Sequence, residues 1–259
     1  MFSFTAEGEK PLDKIPENGG YTSIFRTIAC IGDSLSSGEF ESDAGDGKSG
    51  YHDMYEYSWG QFLARTCGSK VYNFSRGGMS AEWYCKTFAD ENGFWDADKA
   101  AQAYIIALGV NDLLVAGQTV GSVNDINDED WDKNAETFAG YYGKIIQRMK
   151  KIQPRAKFFF MTMPRCESDN ERSKAFKEAH AALLYDFAAK FDNSYVIDLY
   201  KYAPVYDAEF KRCMYMRGHL NPMGYVFTAR MVMAYIDFII RSEPENFKEV
   251  PFIGTDLRS

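Results

Sequence analysis

Arg26-Thr27-Ile28-Ala29-Cys30-Ile31-Gly32-Asp33-Ser34-Leu35-Ser36-Ser37-Gly38 joins an apolar run to a polar, glycine-bounded turn. Arg26–Ile31 is a short apolar run that stops at Gly32, the pattern of a strand buried on both faces. Four more runs repeat it: Lys70–Phe74, Ala103–Leu108, Lys157–Thr162 and Tyr195–Leu199. Helical patterns lie between them. Ser58–Thr66 carries Trp59, Phe62 and Leu63 on one side, and Trp131–Ile152 repeats Phe138, Tyr142, Ile145, Ile146 and Met149 at spacings of three and four before Pro154. Glu171–Phe191 follows, then Pro222–Arg241, which opens on Pro at a first turn. This alternation predicts a three-layer α/β/α sandwich with a five-stranded parallel sheet and right-handed crossovers. Ligands of such sheets bind beyond the carboxyl ends of the strands, so the residues after each strand are where chemistry is expected.

The chain has 259 residues and no Pro/Gly-rich linker dividing it, which predicts one domain over 25–242, with an N-terminal arm (1–24) and a C-terminal arm (243–259) packed on it. Two long connections, Glu39–Tyr57 and Leu113–Asp130, are expected as loops bordering the pocket. Lys plus Arg is 29 and Asp plus Glu is 37, so the formal charge is −8, and no Lys/Arg block is present. Such a chain lacks the charge to displace counterions from phosphates, and neither nucleic acid nor membrane is expected as a partner. No run of 18 apolar residues predicts a spanning helix. The first twenty residues contain no signal-peptide core, and Cys30, Cys67, Cys85, Cys166 and Cys213 are odd in number with no CxxC pair. These features lead us to expect free thiols, no zinc site and a cytoplasmic, reducing location.

The strand ends carry four blocks: Gly32-Asp33-Ser34 after the first, Asn73-Phe74-Ser75-Arg76-Gly77-Gly78 at the second, Gly109-Val110-Asn111-Asp112 after the third, and Arg217-Gly218-His219 ahead of the last helix. These are the parts acyl transfer needs. A serine hydroxyl requires a neighbouring base, and an imidazole titrates in the right range. The oxyanion requires preset donors, which the N–H groups of Ser34 and Gly78 and the side-chain NH₂ of Asn111 can supply.

In these four ordered blocks, over about residues 25–241, the chain resembles the SGNH/GDSL hydrolase family, esterases and lipases on a flavodoxin-like α/β sheet. The resemblance implies a serine esterase with Ser34 as nucleophile, His219 as base, and Ser34, Gly78 and Asn111 as the oxyanion hole, with no metal and no cofactor. Its substrate is expected to be a small-molecule or carbohydrate ester with a short acyl group, such as an acetylated sugar. The oligomeric state stays open. One position departs from the family pattern: Met216 stands where the family carries Asp, three residues before the histidine. A main-chain carbonyl, Asp207 or Glu209 is then the candidate to orient His219. A non-catalytic binding protein and a flavodoxin-like flavin binder are the alternatives.

Blander readings cover the neighbours. Asp33 and Asp112 are expected to stabilise their turns, His180 to be structural and His52 to be exposed. The acidic stretch Asp125–Glu136 lacks the Gly a calcium loop needs at its sixth position, where Asp130 stands. It reads instead as a helix start favoured by the helix dipole.

Overall fold

The computed structural model describes residues 3–43, 45 and 47–252. The strands in chain order are β1 Thr27–Gly32, β2 Glu39–Asp43, β3 Ser49–Asp53, β4 Lys70–Ser75, β5 Ala103–Ala107, β6 Lys157–Met161, β7 Ser194–Ile197, β8 Tyr215–Met216 and β9 His219–Leu220. Five of them form the expected parallel sheet in the order β4-β1-β5-β6-β7. The long helices are α1 Trp59–Cys67, α2 Phe138–Ile152, α3 Glu171–Lys190 and α4 Pro222–Ser242.

Alternation along the strands divides the core in two. Ala29 and Ile31 of β1, Tyr104 and Ile106 of β5, and Phe158 and Phe160 of β6 meet α2, α3 and a helical stretch over residues 81–91. Ile28, Cys30, Ala103, Ile105 and Phe159 point the other way, onto α1 and α4. Side chains cap the helix starts: Ser58, Thr137, Asn170 and Asn221 each accept a backbone N–H from the first turn. Helix α4 has the length and apolarity of a membrane span, but most of it is buried in the core.

Two expectations need correction. The connection Glu39–Tyr57 is a β-hairpin: β2 and β3 pair antiparallel with Glu39 opposite Asp53 and Glu41 opposite Tyr51. Helix α2 begins at Phe138, and no acidic residue stands in its first turn. The upstream carboxylates serve local turns instead. Asp125 accepts from Ser122 N–H at 3.1 Å and Thr137 Oγ1 at 2.7 Å, while Asp130 accepts from Asp132 N–H at 3.1 Å.

The N-terminal arm lies on α4, where Tyr21 N–H donates to Asp237 Oδ1 (2.8 Å) and Thr22 Oγ1 to Met233 O (3.0 Å). The C-terminal arm returns over the sheet, and Phe247 packs against Phe25, Phe159 and Tyr195. Residues 253–259 of that arm lie outside the described residues. Phe247→Ala is expected to destabilise the protein by about 3 kcal/mol, the usual cost of deleting a buried ring. Urea unfolding measures this, and a loss below about 1 kcal/mol would show that the arm is not part of the core.

Candidate active site

β1 runs between β4 and β5, and all three reach the same level: Gly32 is in register with Ser75 on one side and Ala107 on the other. Asp33 follows as the cap of a single helical turn, Ser34–Ser37, and its Oδ1 accepts Leu35 N–H at 3.1 Å. Ser34 opens this turn, half-buried, and Gly38 closes it in the left-handed region (φ 83°).

Beyond β4 the chain turns through Gly77 and Gly78. Gly78 has φ 73° and is exposed, with no atom within 4 Å of where a Cβ would stand. The backbone there is open to an incoming group. Gly77 has the opposite constraint, since a Cβ would lie 1.8 Å from Glu39 Oε2. Beyond β5, Asn111 Nδ2 donates to Met79 O at 3.0 Å, and Asp112 Oδ1 accepts Ala81 N–H at 2.9 Å. These two bonds tie the β4 and β5 loops together, and Asp33 and Asp112 hold turns as expected.

His219 lies in the short hairpin β8–β9, whose turn has Arg217 in the left-handed region (φ 61°). Its side chain is 17% exposed. Two carboxylates of β2 bracket the ring: Glu39 Oε1 lies 3.1 Å from Nε2, and Glu41 Oε2 lies 3.6 Å from Nδ1. Strand alternation explains this. Glu39 and Glu41 share one face of β2, while Phe40 turns to the other, edge-on to Tyr57 and Tyr225. Among the described residues no hydrogen bond joins His219 to Ser34, and Nδ1 has no hydrogen-bond partner.

None of the expected orienting groups is in place. No carbonyl accepts from Nδ1. Asp207 caps the short helix Ala208–Met214 by accepting Phe210 N–H at 2.8 Å, and Glu209 is exposed and paired with Arg212 at 2.7 Å. Glu39 and Glu41 lie in a segment without the apolar run of a core strand, so the sequence does not mark them as strand residues. The polar–apolar alternation of Glu39-Phe40-Glu41 was the available signal.

The hairpin borders the site as expected, with Tyr51 edge-on to His219 at 5.8 Å between ring centres. The other long connection starts beside Asn111 but packs on α2, where Val120 and Ile126 join the core. His52 is exposed and 2.9 Å from Ser42 Oγ. His180 is structural: it is fully buried with Nε2 3.0 Å from Leu108 O, and burial pushes it down to about 4.

Behind the Ser34 turn is a cavity of about 60 Å³, walled by Leu35, Leu108, Val110, Met163, Tyr206 and Leu220. Asp33, Ser36 and Trp59 also reach it, and Ser36 Oγ and Trp59 Nε1 have no partner among the described residues. No cluster of metal-ligating side chains occurs among the described residues.

The model of the GDSL-like Lipase/Acylhydrolase family matches residues 30–227. No curated protein matches the chain. Among solved structures, a family two carbohydrate esterase from Clostridium thermocellum in complex with cellohexaose superposes with a TM-score of 0.59 at 16% identity, over 83% of this chain and 64% of that one. The present chain thus spans less than two thirds of that relative. A family 3 carbohydrate esterase from the same organism gives 0.53 at 15% identity, over 83% and 96%. A possible lipase from Chitinophaga pinensis gives 0.56 at 15% identity, over 83% and 99%. At these identities the likeness is one of fold.

Burial pushes Asp33 up to about 7 and Asp112 up to about 6. The folded chain therefore keeps protons that the unfolded chain releases near 3.8. The stability from this source is full below that value and is lost as the pH rises through the folded values. Asp33→Asn keeps a capping oxygen and cannot ionise. Its stability relative to the unsubstituted protein should therefore rise between about pH 5 and about pH 8, by roughly 2–4 kcal/mol. Thermal melts across that range test this, and a pH-independent difference would refute it.

Proposed function

The chain belongs to the GDSL-like Lipase/Acylhydrolase family, and from that premise we propose that it is a serine esterase cleaving short-acyl esters of a carbohydrate or similar alcohol. The observation that carries the reading is the convergence of Ser34, Gly78 and Asn111 at the carboxyl edge of three adjacent strands, with His219 brought toward that edge by the β8–β9 hairpin.

Ser34 Oγ attacks the acyl carbon and passes its proton to His219 Nε2. The imidazolium then protonates the departing alcohol. Water, deprotonated by the same nitrogen, attacks the acyl-enzyme, and the acid leaves with Ser34 restored. The N–H groups of Ser34 and Gly78 and the Asn111 amide stabilise the oxyanion. The apolar-walled cavity of about 60 Å³ beside the Ser34 turn favours a short acyl group. Tyr51, exposed beside His219, offers a ring face to the alcohol. The carbohydrate esterases among the structural relatives support a sugar alcohol.

A non-catalytic binding protein is the second reading, favoured by the contact of Nε2 with Glu39 rather than Ser34. Turnover of an acetyl ester separates the two. Ser34 should be labelled by a fluorophosphonate, and Ser34→Ala should remove all but the residual rate the oxyanion hole provides. Labelling elsewhere, or no turnover at all, would overturn the esterase. Asn111→Ala should lower kcat by about 10²–10³ with KM little changed, whereas a change confined to KM would make Asn111 a binding residue. Acetyl esters should outrun octanoyl esters, and Met163→Ala should narrow that gap. An unchanged preference would remove the cavity from the acyl site.

A further inference from the structure

We propose that Glu41 is the positioning residue for His219, holding the Nδ1 proton from β2 in the place that Met216 leaves unfilled; this rests on the esterase reading above. A thioether is too weak an acceptor to orient an imidazole, and Met216, paired across the hairpin from His219, is exposed. Nδ1 is buried without a hydrogen-bond partner, and Glu41 Oε2 faces it at 3.6 Å.

The Glu41 carboxylate is itself fixed. Ser49 Oγ donates to Oε1 at 2.6 Å, Gly218 N–H donates to Oε2 at 2.7 Å, and Arg217 Nε lies 3.5 Å from Oε1. The oxygen nearest Nδ1 is thus held by the residue adjacent to His219. Closing by about 0.7 Å would bring the pair to charge-assisted hydrogen-bond distance. Catalytic hydrogen bonds are often long in the resting enzyme and tighten with substrate bound. The Ser49 hydroxyl and the Gly218 amide hold Glu41 below the usual carboxylate range, so it is ionised at neutral pH.

Glu39 cannot take this part. It contacts Nε2, the nitrogen that must meet Ser34, so its contact has to open before attack. Burial raises Glu39 against the pull of His219, which lowers it; Asp53 and Glu41 add to the rise and His52 opposes it. Asp43 shares Arg217 with Glu41, and Tyr51 borders the ring.

Glu41→Gln keeps the shape and an acceptor for Gly218 but removes the charge. It should lower kcat by about 10²–10⁴ with KM little changed. The acidic limb of the kcat/KM profile should also move to lower pH, because a neutral amide stabilises the imidazolium less. Glu41→Asp should recover part of the rate, while Asp207→Asn and Glu209→Gln should each cost less than about tenfold. Imidazole ¹⁵N and ¹H spectra of the histidine-labelled protein provide a readout independent of turnover. The His219 Nδ1–H signal should be lost or shifted in Glu41→Gln and retained in Glu39→Gln. If the protein turns over no ester, the esterase reading fails and these spectra alone decide the role of Glu41. If Glu41→Gln does not fold, Glu41→Asp supplies the same profile and spectra with smaller displacements. An unmoved profile and an unmoved Nδ1–H signal in a folded Glu41 variant, or loss of that signal in Glu39→Gln instead, would overturn the proposal.

Discussion

The parallel pairing of β1 between β4 and β5 sets where three loops of the site leave the sheet. A parallel sheet needs a crossover between successive strands, and those crossovers cover both its faces. That is why Ile28 and Ala29, adjacent in sequence, belong to separate halves of the core. With both faces covered, the backbone becomes free of the core only at the strand ends. Because Gly32, Ser75 and Ala107 are in register, three loops leave the sheet at one level. Adjacent strands lie about 4.8 Å apart, so the loops bearing Ser34, Gly78 and Asn111 start within reach of one small substrate group.

Carboxylates crowd this edge, and their surroundings divide their work. Asp33 and Asp112 are buried and each accepts a backbone N–H through Oδ1, which stiffens the loops at a cost in desolvation. Glu39 and Glu41 lie on a hairpin over the site with the imidazole between them. Of these two, Glu41 is the better solvated by fixed donors and Glu39 the more penalised by burial. Chemically similar residues two positions apart are therefore unequal partners for one histidine.

Much of this architecture was legible in the residues. The five core strands announce themselves as short, nearly continuous apolar runs, and three of the four blocks follow their carboxyl ends, the edge where such sheets bind ligands, while the fourth lies in the β8–β9 hairpin. The hairpin was harder to read. Its strands carry Glu, Ser, Asp and His among few apolar residues, since neither belongs to the main sheet and β3 is largely exposed. Phe40 is the one buried apolar residue of the two strands, and one such residue does not establish a period. The carboxylate beside His219 Nδ1 is hidden for a related reason. Carboxylates local to Met216 in the chain lie near position 207, whereas Glu41 lies 178 positions from His219 and arrives through tertiary folding.

The two glycines after β4 show how different the demands on neighbouring identical residues can be. Gly78 stands in a conformation that other residues resist, with free space around it, whereas Gly77 is hemmed in by the Glu39 carboxylate. Glycine at 77 and glutamate at 39 therefore form a lock-step pair across two loops far apart in sequence. A methyl group at 77 would evict the carboxylate from its niche, and with it the group now resting on the imidazole. A side chain at 77 is thus conditional on what stands at 39, so that the histidine's surroundings can be rewritten from a residue that never touches it.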